Sequence, residues 1–233
     1  MIDKIKKVID AMALIAAAAT ASARRPAGTA EADPPGVEPL GAEQEQRLQE
    51  LVEASFPKEP ELRIIGLFTE VIDEKIAEIA HAMLYLDELN RIKKESRPIE
   101  FYISTYGGSA DDMFALYDIM RQIKKTTEIH TIGMGKVMSA GVLLLAAGTK
   151  GERKIGKYCR VMIHSVIGGS HGSLPNLANE MEAMQQIQKD FCEALVAETS
   201  MTEKQLKDLL ERKVNVYLSA QEAVELGIAD TII

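Results

Sequence analysis

Gly133-Met134-Gly135-Lys136-Val137-Met138-Ser139-Ala140-Gly141 holds one serine among small residues. An apolar run, Val142-Leu143-Leu144-Leu145-Ala146-Ala147, follows at once and ends at Gly148. The alternating segment Ile129-His130-Thr131-Ile132-Gly133-Met134 precedes it. The pattern predicts a strand, a tight Gly-rich turn and a buried helix. A serine at a helix start sits where backbone N–H groups point outward and the dipole favours negative charge. A nucleophile whose attack builds an oxyanion has those needs. Taken alone, Ser139 reads more readily as the N-cap of a core helix.

Outward from that stretch, other strands and helices alternate. Arg63 to Phe68 and Ile99 to Ser104 read as strands, with an amphipathic helix from Val71 to Asn90 between them. Tyr106-Gly107-Gly108-Ser109 breaks the second strand, and Asp111 to Lys124 is helical. Arg160 to His164 is a short strand ending in a histidine, followed by the loop Gly168-Gly169-Ser170-His171-Gly172-Ser173. Leu174 to Ser200 is a long helical segment, and Glu203 to Arg212 is another helix. Asn215 to Leu218 is a strand, and Ser219-Ala220-Gln221-Glu222 fits a capping box opening a helix that ends at Gly227. Such alternation implies an α/β domain around a parallel sheet.

Residues 61–233 read as this compact domain, and residues 1–60 as an N-terminal extension. The extension opens with a basic segment and an Ala-rich apolar run to Ala23, then Arg24 to Gly41 is rich in Pro, Gly, Ala and Glu. It resembles a secretory signal, but Asp10 interrupts the run, so a helical arm and flexible linker are the preferred reading. The run is too short to span a membrane. Residues 42–56 read as a short charged helix.

Composition narrows the function classes. A net charge of −8 argues against nucleic acid as the main partner. The absence of tryptophan and an aromatic content of 5% argue against a base-stacking platform. Cys159 and Cys192 have no CxxC or Cys/His ligand spacing, so neither zinc nor a disulfide framework is expected, and no cofactor. Both read as small hydrophobes. His81 and His130 read as structural histidines, His171 as an exposed loop residue, and Asp208 and Glu211 as a solvated helix face.

Three features then line up at the C-terminal ends of parallel strands, where α/β folds place their sites. They are Gly107-Gly108, Ser139 and His164. A nucleophilic serine needs a base within hydrogen-bond reach and donors aimed at the oxyanion. Paired glycines allow close backbone approach.

Those residues carry a resemblance. Tyr106-Gly107-Gly108-Ser109, Gly135-Lys136-Val137-Met138-Ser139-Ala140-Gly141, Ala146-Ala147-Gly148-Thr149-Lys150-Gly151, Arg160-Val161-Met162-Ile163-His164, Gly168-Gly169 and Tyr217-Leu218-Ser219-Ala220-Gln221-Glu222-Ala223-Val224 resemble the Clp protease proteolytic subunit family, ClpP, from about Arg63 to Ile232. The resemblance implies a ClpP/crotonase-like α/β fold with helices outside and a handle helix. It implies Ser139 as nucleophile, His164 as general base, and the N–H groups of Gly108 and Ala140 as oxyanion hole. It also implies peptide binding as an added strand at Gly107 and at Gly168-Gly169. Stacked heptameric rings (a tetradecamer), an AAA+ unfoldase, unfolded polypeptide substrates and a cytoplasmic location follow from the same resemblance.

The sequence departs from the family at three places. Asn215 stands where the third triad member is usually aspartate. Asparagine can accept from His164 Nδ1–H but cannot stabilise the imidazolium by charge, and the corresponding Asp-to-Asn change in a Ser-His-Asp enzyme lowers turnover by about 10⁴. Val214 replaces an arginine that pairs between rings, and Tyr106 replaces a proline. Two further readings stay open: a weak or inactive ClpP-like structural ring subunit, and a crotonase-type acyl-CoA enzyme.

Overall fold

A computed structural model describes residues 46, 62–212 and 215–233, without the side chains of residues 211 and 212. The N-terminal arm, its linker, the charged helix expected over 42–56 (residue 46 apart) and Val214 lie outside the described residues. Residues 62–233 form one compact unit. Its elements are β1 (Ile64–Leu67), α1 (Asp73–Lys93), β2 (Ile99–Thr105), α2 (Ala110–Ile123), β3 (Ile129–Met138) and α3 (Ala140–Ala146). They continue with β4 (Lys154–Ile155), β5 (Arg160–Ile163), α4 (Leu174–Glu198), α5 (Glu203–Arg212), β6 (Val216–Leu218), α6 (Ala220–Glu225) and β7 (Thr231–Ile232).

The described strands form one mixed sheet in the order β1-β2-β3-β4-β7, with β5 and β6 branching from β3. All pairs are parallel except β5 with β6. This is the expected α/β class. The antiparallel β6 was not foreseeable, because period-two alternation carries no direction. Nor were β4 and β7, whose two residues are too few to alternate visibly.

The opening stretch folds differently from the expected strand and turn. β3 runs through the Gly-rich segment to Met138. Ile103 of β2 pairs Gly133 and Thr105 pairs Val137, so four steps of β3 face two of β2. Gly135, at φ 66°, takes up the bulge. On the opposite edge, Ile132 and Gly133 pair β4, whereas Lys136 to Met138 pair β5. The bulge thus lets one strand serve two neighbours, and the sharp turn moves to Ser139.

α3 is buried along its whole length. A Cβ at Gly141 would stand 2.5 Å from Thr105 Cγ2, so only glycine lets this helix lie against β2. α4 behaves oppositely. Its C-terminal half buries Phe191, Leu195 and Glu198, while residues 171–183 are all exposed. At 1.5 Å per residue its 25 residues span about 37 Å, enough to project well beyond the sheet. No helix among the described residues is long and apolar enough to cross a membrane.

One buried cation ties the C-terminal segment to the core. Arg153 Nη1 donates to Ala146 O at 3.2 Å and to Glu198 O at 2.7 Å, closing the ends of α3 and α4. Its Nε donates to Asp230 Oδ2 at 2.9 Å, and its Nη2 to Oδ1 at 2.5 Å. Burial pushes the Asp230 carboxyl up, but hydrogen bonds and charge from Arg153, with the Gly151 N–H, outweigh it and hold the group below its ordinary value. Asp230→Ala strands a guanidinium that is 5% exposed. We expect a loss of about 3 kcal/mol at neutral pH, read as a Tm roughly 6–12 °C lower. The folded carboxyl titrates below the unfolded one. Its contribution is therefore complete above the unfolded pKa and fades as pH falls through the folded one. Thermal melts should show the two proteins converging below about pH 4. A constant gap down to pH 2 would contradict this assignment.

Candidate active site

Gly107-Gly108, Ser139 and His164 follow the last residues of β2, β3 and β5. Those strands are parallel neighbours, so all three arrive at the C-terminal edge of the sheet, as the sequence suggested. Gly107, Gly108, Ser139, Ala140 and His164 line one cavity of about 450 Å³.

Ser139 has φ 54° and ψ −123°, and among the described residues only Lys94 shares positive φ outside glycine. Its side chain makes no cap hydrogen bond, so the capping reading does not hold. The backbone turns sharply from β3 into α3, and the Ser139 N–H donates to Met162 O at 2.8 Å, pinning the turn to β5. Such strain costs of order 1–3 kcal/mol and persists where neighbours over-determine it. A serine on a strained strand-to-helix turn, exposing its hydroxyl, is the geometry of a nucleophile elbow.

The paired glycines are divided in their use. The Gly107 N–H donates to Thr105 Oγ1 at 3.0 Å. Val71 N–H donates to Gly107 O, and Ser109 N–H to Val71 O, each at 2.8 Å. This parallel bridge uses the groups on either side of Gly108. The Gly108 N–H therefore points to the opposite side, and no bond within the described residues consumes it. The Ala140 N–H, in the first turn of α3, is likewise unconsumed. A Cβ on Gly107 would stand 3.0 Å from Ser139 Oγ, and one on Gly108 2.2 Å from Val71 O. No side chain fits at either place.

His164 is half-buried. Its Nδ1 pairs with Ser165 O at 2.5 Å. The sequence suggested Asn215 for that partner. The β5–β6 register ends at the pair Ile163–Val216, with His164 the residue after β5 and Asn215 the residue before β6. Asn215 itself is exposed, and the Nδ1 contact goes to the backbone carbonyl. Gly168 and Gly169 are exposed and stand outside the cavity wall, which ends at Ile167. Sequence reasoning missed the apolar side of the cavity: Met113 from α2, Ile187 and Phe191 from α4, and Val166 and Ile167 after β5. Only the i,i+4 pair of Ile187 and Phe191 signalled a shared helix face.

The remaining candidates stand apart. His81, read from the sequence as a structural histidine, is exposed on α1. His130 pairs with Glu128 at 3.1 Å and Glu152 at 3.8 Å, a structural role. Burial pushes the Cys159 thiol up to about 11 and raises that of Cys192, which leaves both as unreactive thiols. No group of three or more metal-ligating side chains occurs among the described residues.

A strained serine and a half-buried histidine on adjacent strand ends, facing one cavity, are the features of a serine-type hydrolase. The sequence matches the Clp protease family over residues 49–233. It is 31% identical over 171 residues to ATP-dependent Clp protease proteolytic subunit 1 of Prochlorococcus marinus (strain MIT 9312), covering 73% of this chain and 84% of that protein. It is 35% identical over 170 residues to the protein of the same name from Leifsonia xyli subsp. xyli (strain CTCB07), covering 73% and 82%. The chain belongs to the Clp protease family and is a ClpP-type, serine-type peptidase. Neither the structural ring subunit nor the acyl-CoA enzyme is favoured by these relationships.

Proposed function

We propose that this chain hydrolyses peptide bonds by acyl transfer through Ser139, with His164 as general base. The observation that carries this reading is the Ser139 backbone at φ 54°, in the wall of a cavity that His164 also lines. Nε2 of His164 takes the hydroxyl proton as Oγ attacks the scissile carbonyl. The oxyanion accepts from the free N–H groups of Gly108 and Ala140. The protonated imidazole then gives its proton to the leaving amine, and water repeats the cycle on the acyl-enzyme. Asn215 stands at the third triad position as a neutral side chain, while the Nδ1 contact goes to Ser165 O.

The substrate chain pairs with the Tyr106-Gly107-Gly108 edge and the Gly168-Gly169 loop as an added strand. The wall of Met113, Ile187 and Phe191 selects an apolar side chain next to the scissile bond. Family membership supports self-assembly into stacked rings as a tetradecamer, and work with a Clp-type AAA+ ATPase that delivers unfolded polypeptide. It also supports a cytoplasmic location. Residues 1–60 form a separate extension, cleaved as a propeptide or kept as an arm.

An alkyl fluorophosphonate should add one covalent group per chain at Ser139, seen by intact mass and peptide mapping of the assembled protein. Absence of labelling, with assembly intact, would sink the nucleophile assignment.

A further inference from the structure

Ser165 and Val166 share one peptide group, and both of its polar ends are engaged. Its C=O meets His164 Nδ1 at 2.5 Å. Its N–H donates to Gln188 Oε1 on α4 at 2.6 Å. In a trans peptide these two groups point in opposite directions, so a partner on the N–H fixes where the C=O points. The far end of the Gln188 amide is fixed too: Nε2 donates to Cys192 Sγ at 3.2 Å, one turn along α4. Imidazole, peptide, side-chain amide and thiol thus form one directed chain of hydrogen bonds, in which each dipole polarises the next.

We propose that Gln188 is a positioning residue for His164, and that the Ser165–Val166 peptide it holds does the orienting work a carboxylate does in a Ser-His-Asp triad. This rests on the reading of Ser139 and His164 as nucleophile and base. With Nδ1–H donated to the Ser165 carbonyl, the ring keeps its Nε2 lone pair for the Ser139 proton. When the imidazolium forms, two aligned amide dipoles face its charge instead of a full negative charge. The sequence hides this device, because a backbone carbonyl carries no residue signature and Gln188 lies 22 positions from Val166.

The titratable side chains on the cavity wall are Glu70, Tyr106 and His164 itself. Behind Gln188, a second cavity of about 610 Å³ brings Lys189, Glu193, Glu203 and Lys207 near, two of each sign.

The test uses the full-length protein and a fluorogenic peptide with an apolar residue at the scissile bond. For Gln188→Ala we expect kcat to fall about tenfold to a hundredfold with KM unchanged, because the released peptide withdraws the Ser165 carbonyl's hydrogen bond from the charged imidazolium. The acid limb of kcat/KM should move to lower pH, because the imidazolium loses a partner. Gln188→Glu keeps the acceptor and adds negative charge. It should retain more of the wild-type kcat than Gln188→Ala and move the acid limb to higher pH. Opposite movements are a signature that mere loss of packing does not produce.

Suppose wild type hydrolyses the peptide and labels at Ser139. Then a Gln188→Ala protein with unchanged kcat and acid limb overturns the role of Gln188 alone. So do two variants that lose activity equally with the limb unmoved, since that is a structural effect. A wild-type chain that neither hydrolyses nor labels overturns the site reading, and this inference with it.

Discussion

Ser139→Gly should give a protein that melts higher than wild type and cleaves nothing. Ser139 holds φ 54° and ψ −123°, a conformation that L side chains rarely adopt and glycine reaches freely. Relief of that strain is worth of order 1–3 kcal/mol. The greater freedom of glycine in the unfolded chain offsets roughly 0.5–1 kcal/mol of it. A net gain of about 1 kcal/mol raises Tm by about 2–4 °C in a domain of this size. Catalysis moves the other way. Removing the nucleophile of a triad enzyme lowers kcat by up to about 10⁶. Ser139→Ala is the control: it removes the same hydroxyl but keeps a Cβ, so it should be equally inactive without the gain in Tm. Scanning calorimetry with a peptide assay reads both. A Ser139→Gly protein no more stable than Ser139→Ala would show that the turn stores no strain. Residual peptide hydrolysis at a substantial fraction of wild type would place the nucleophile elsewhere.

Asn215→Asp should make the peptidase faster. Ile163 pairs Val216, and His164 and Asn215 are the next residues beyond that pair, so we expect a carboxylate at 215 to lie near the imidazolium as it forms. The converse change in a Ser-His-Asp enzyme costs about 10⁴, which sets the ceiling. The gain should fall well below it, for two reasons. Part of that 10⁴ reflects the wrong tautomer, and the Ser165 carbonyl already supplies a partner for Nδ1. The side chain at 215 is also exposed, which weakens a charge–charge interaction. We expect kcat/KM to rise about tenfold to a hundredfold, equal to about 1.4–2.7 kcal/mol of transition-state stabilisation. A nearby carboxylate favours the protonated ring, so the imidazole pKa rises and the acid limb of kcat/KM moves to higher pH. Steady-state kinetics from pH 5 to 9 would show both. An unchanged rate with an unmoved limb would mean that position 215 does not couple to His164.

Local chemistry was the part of this protein open to a reader of the sequence. The capping box at Ser219 appears as expected, with Ser219 and Glu222 exchanging both hydrogen bonds. It was visible because both partners lie within one turn. The long helix from Leu174 was equally plain, since its apolar spacing repeats over many turns. The arrival of Gly108, Ser139 and His164 at one sheet edge could be inferred because parallel strands put all their C-terminal ends on one side. The Gly-rich stretch misled for a physical reason. Glycine marks departure from regular backbone without saying which departure, and Gly135 serves a bulge inside β3 rather than a turn after it.

The sequence by itself determined the family, the α/β class and the residue types that can do acyl transfer, because each rests on short-range pattern or on motif order. Tertiary structure alone decided what those residues can use. It set Ser139 as an uncapped, strained turn and left the Gly108 N–H free while spending that of Gly107. It turned β6 antiparallel to β5, so that Asn215 precedes the strand whose Val216 pairs Ile163, and gave the His164 Nδ1 contact to a backbone carbonyl held from α4. Each of those outcomes is a direction in space fixed by a partner distant in the chain, and a linear pattern of residue types does not encode direction.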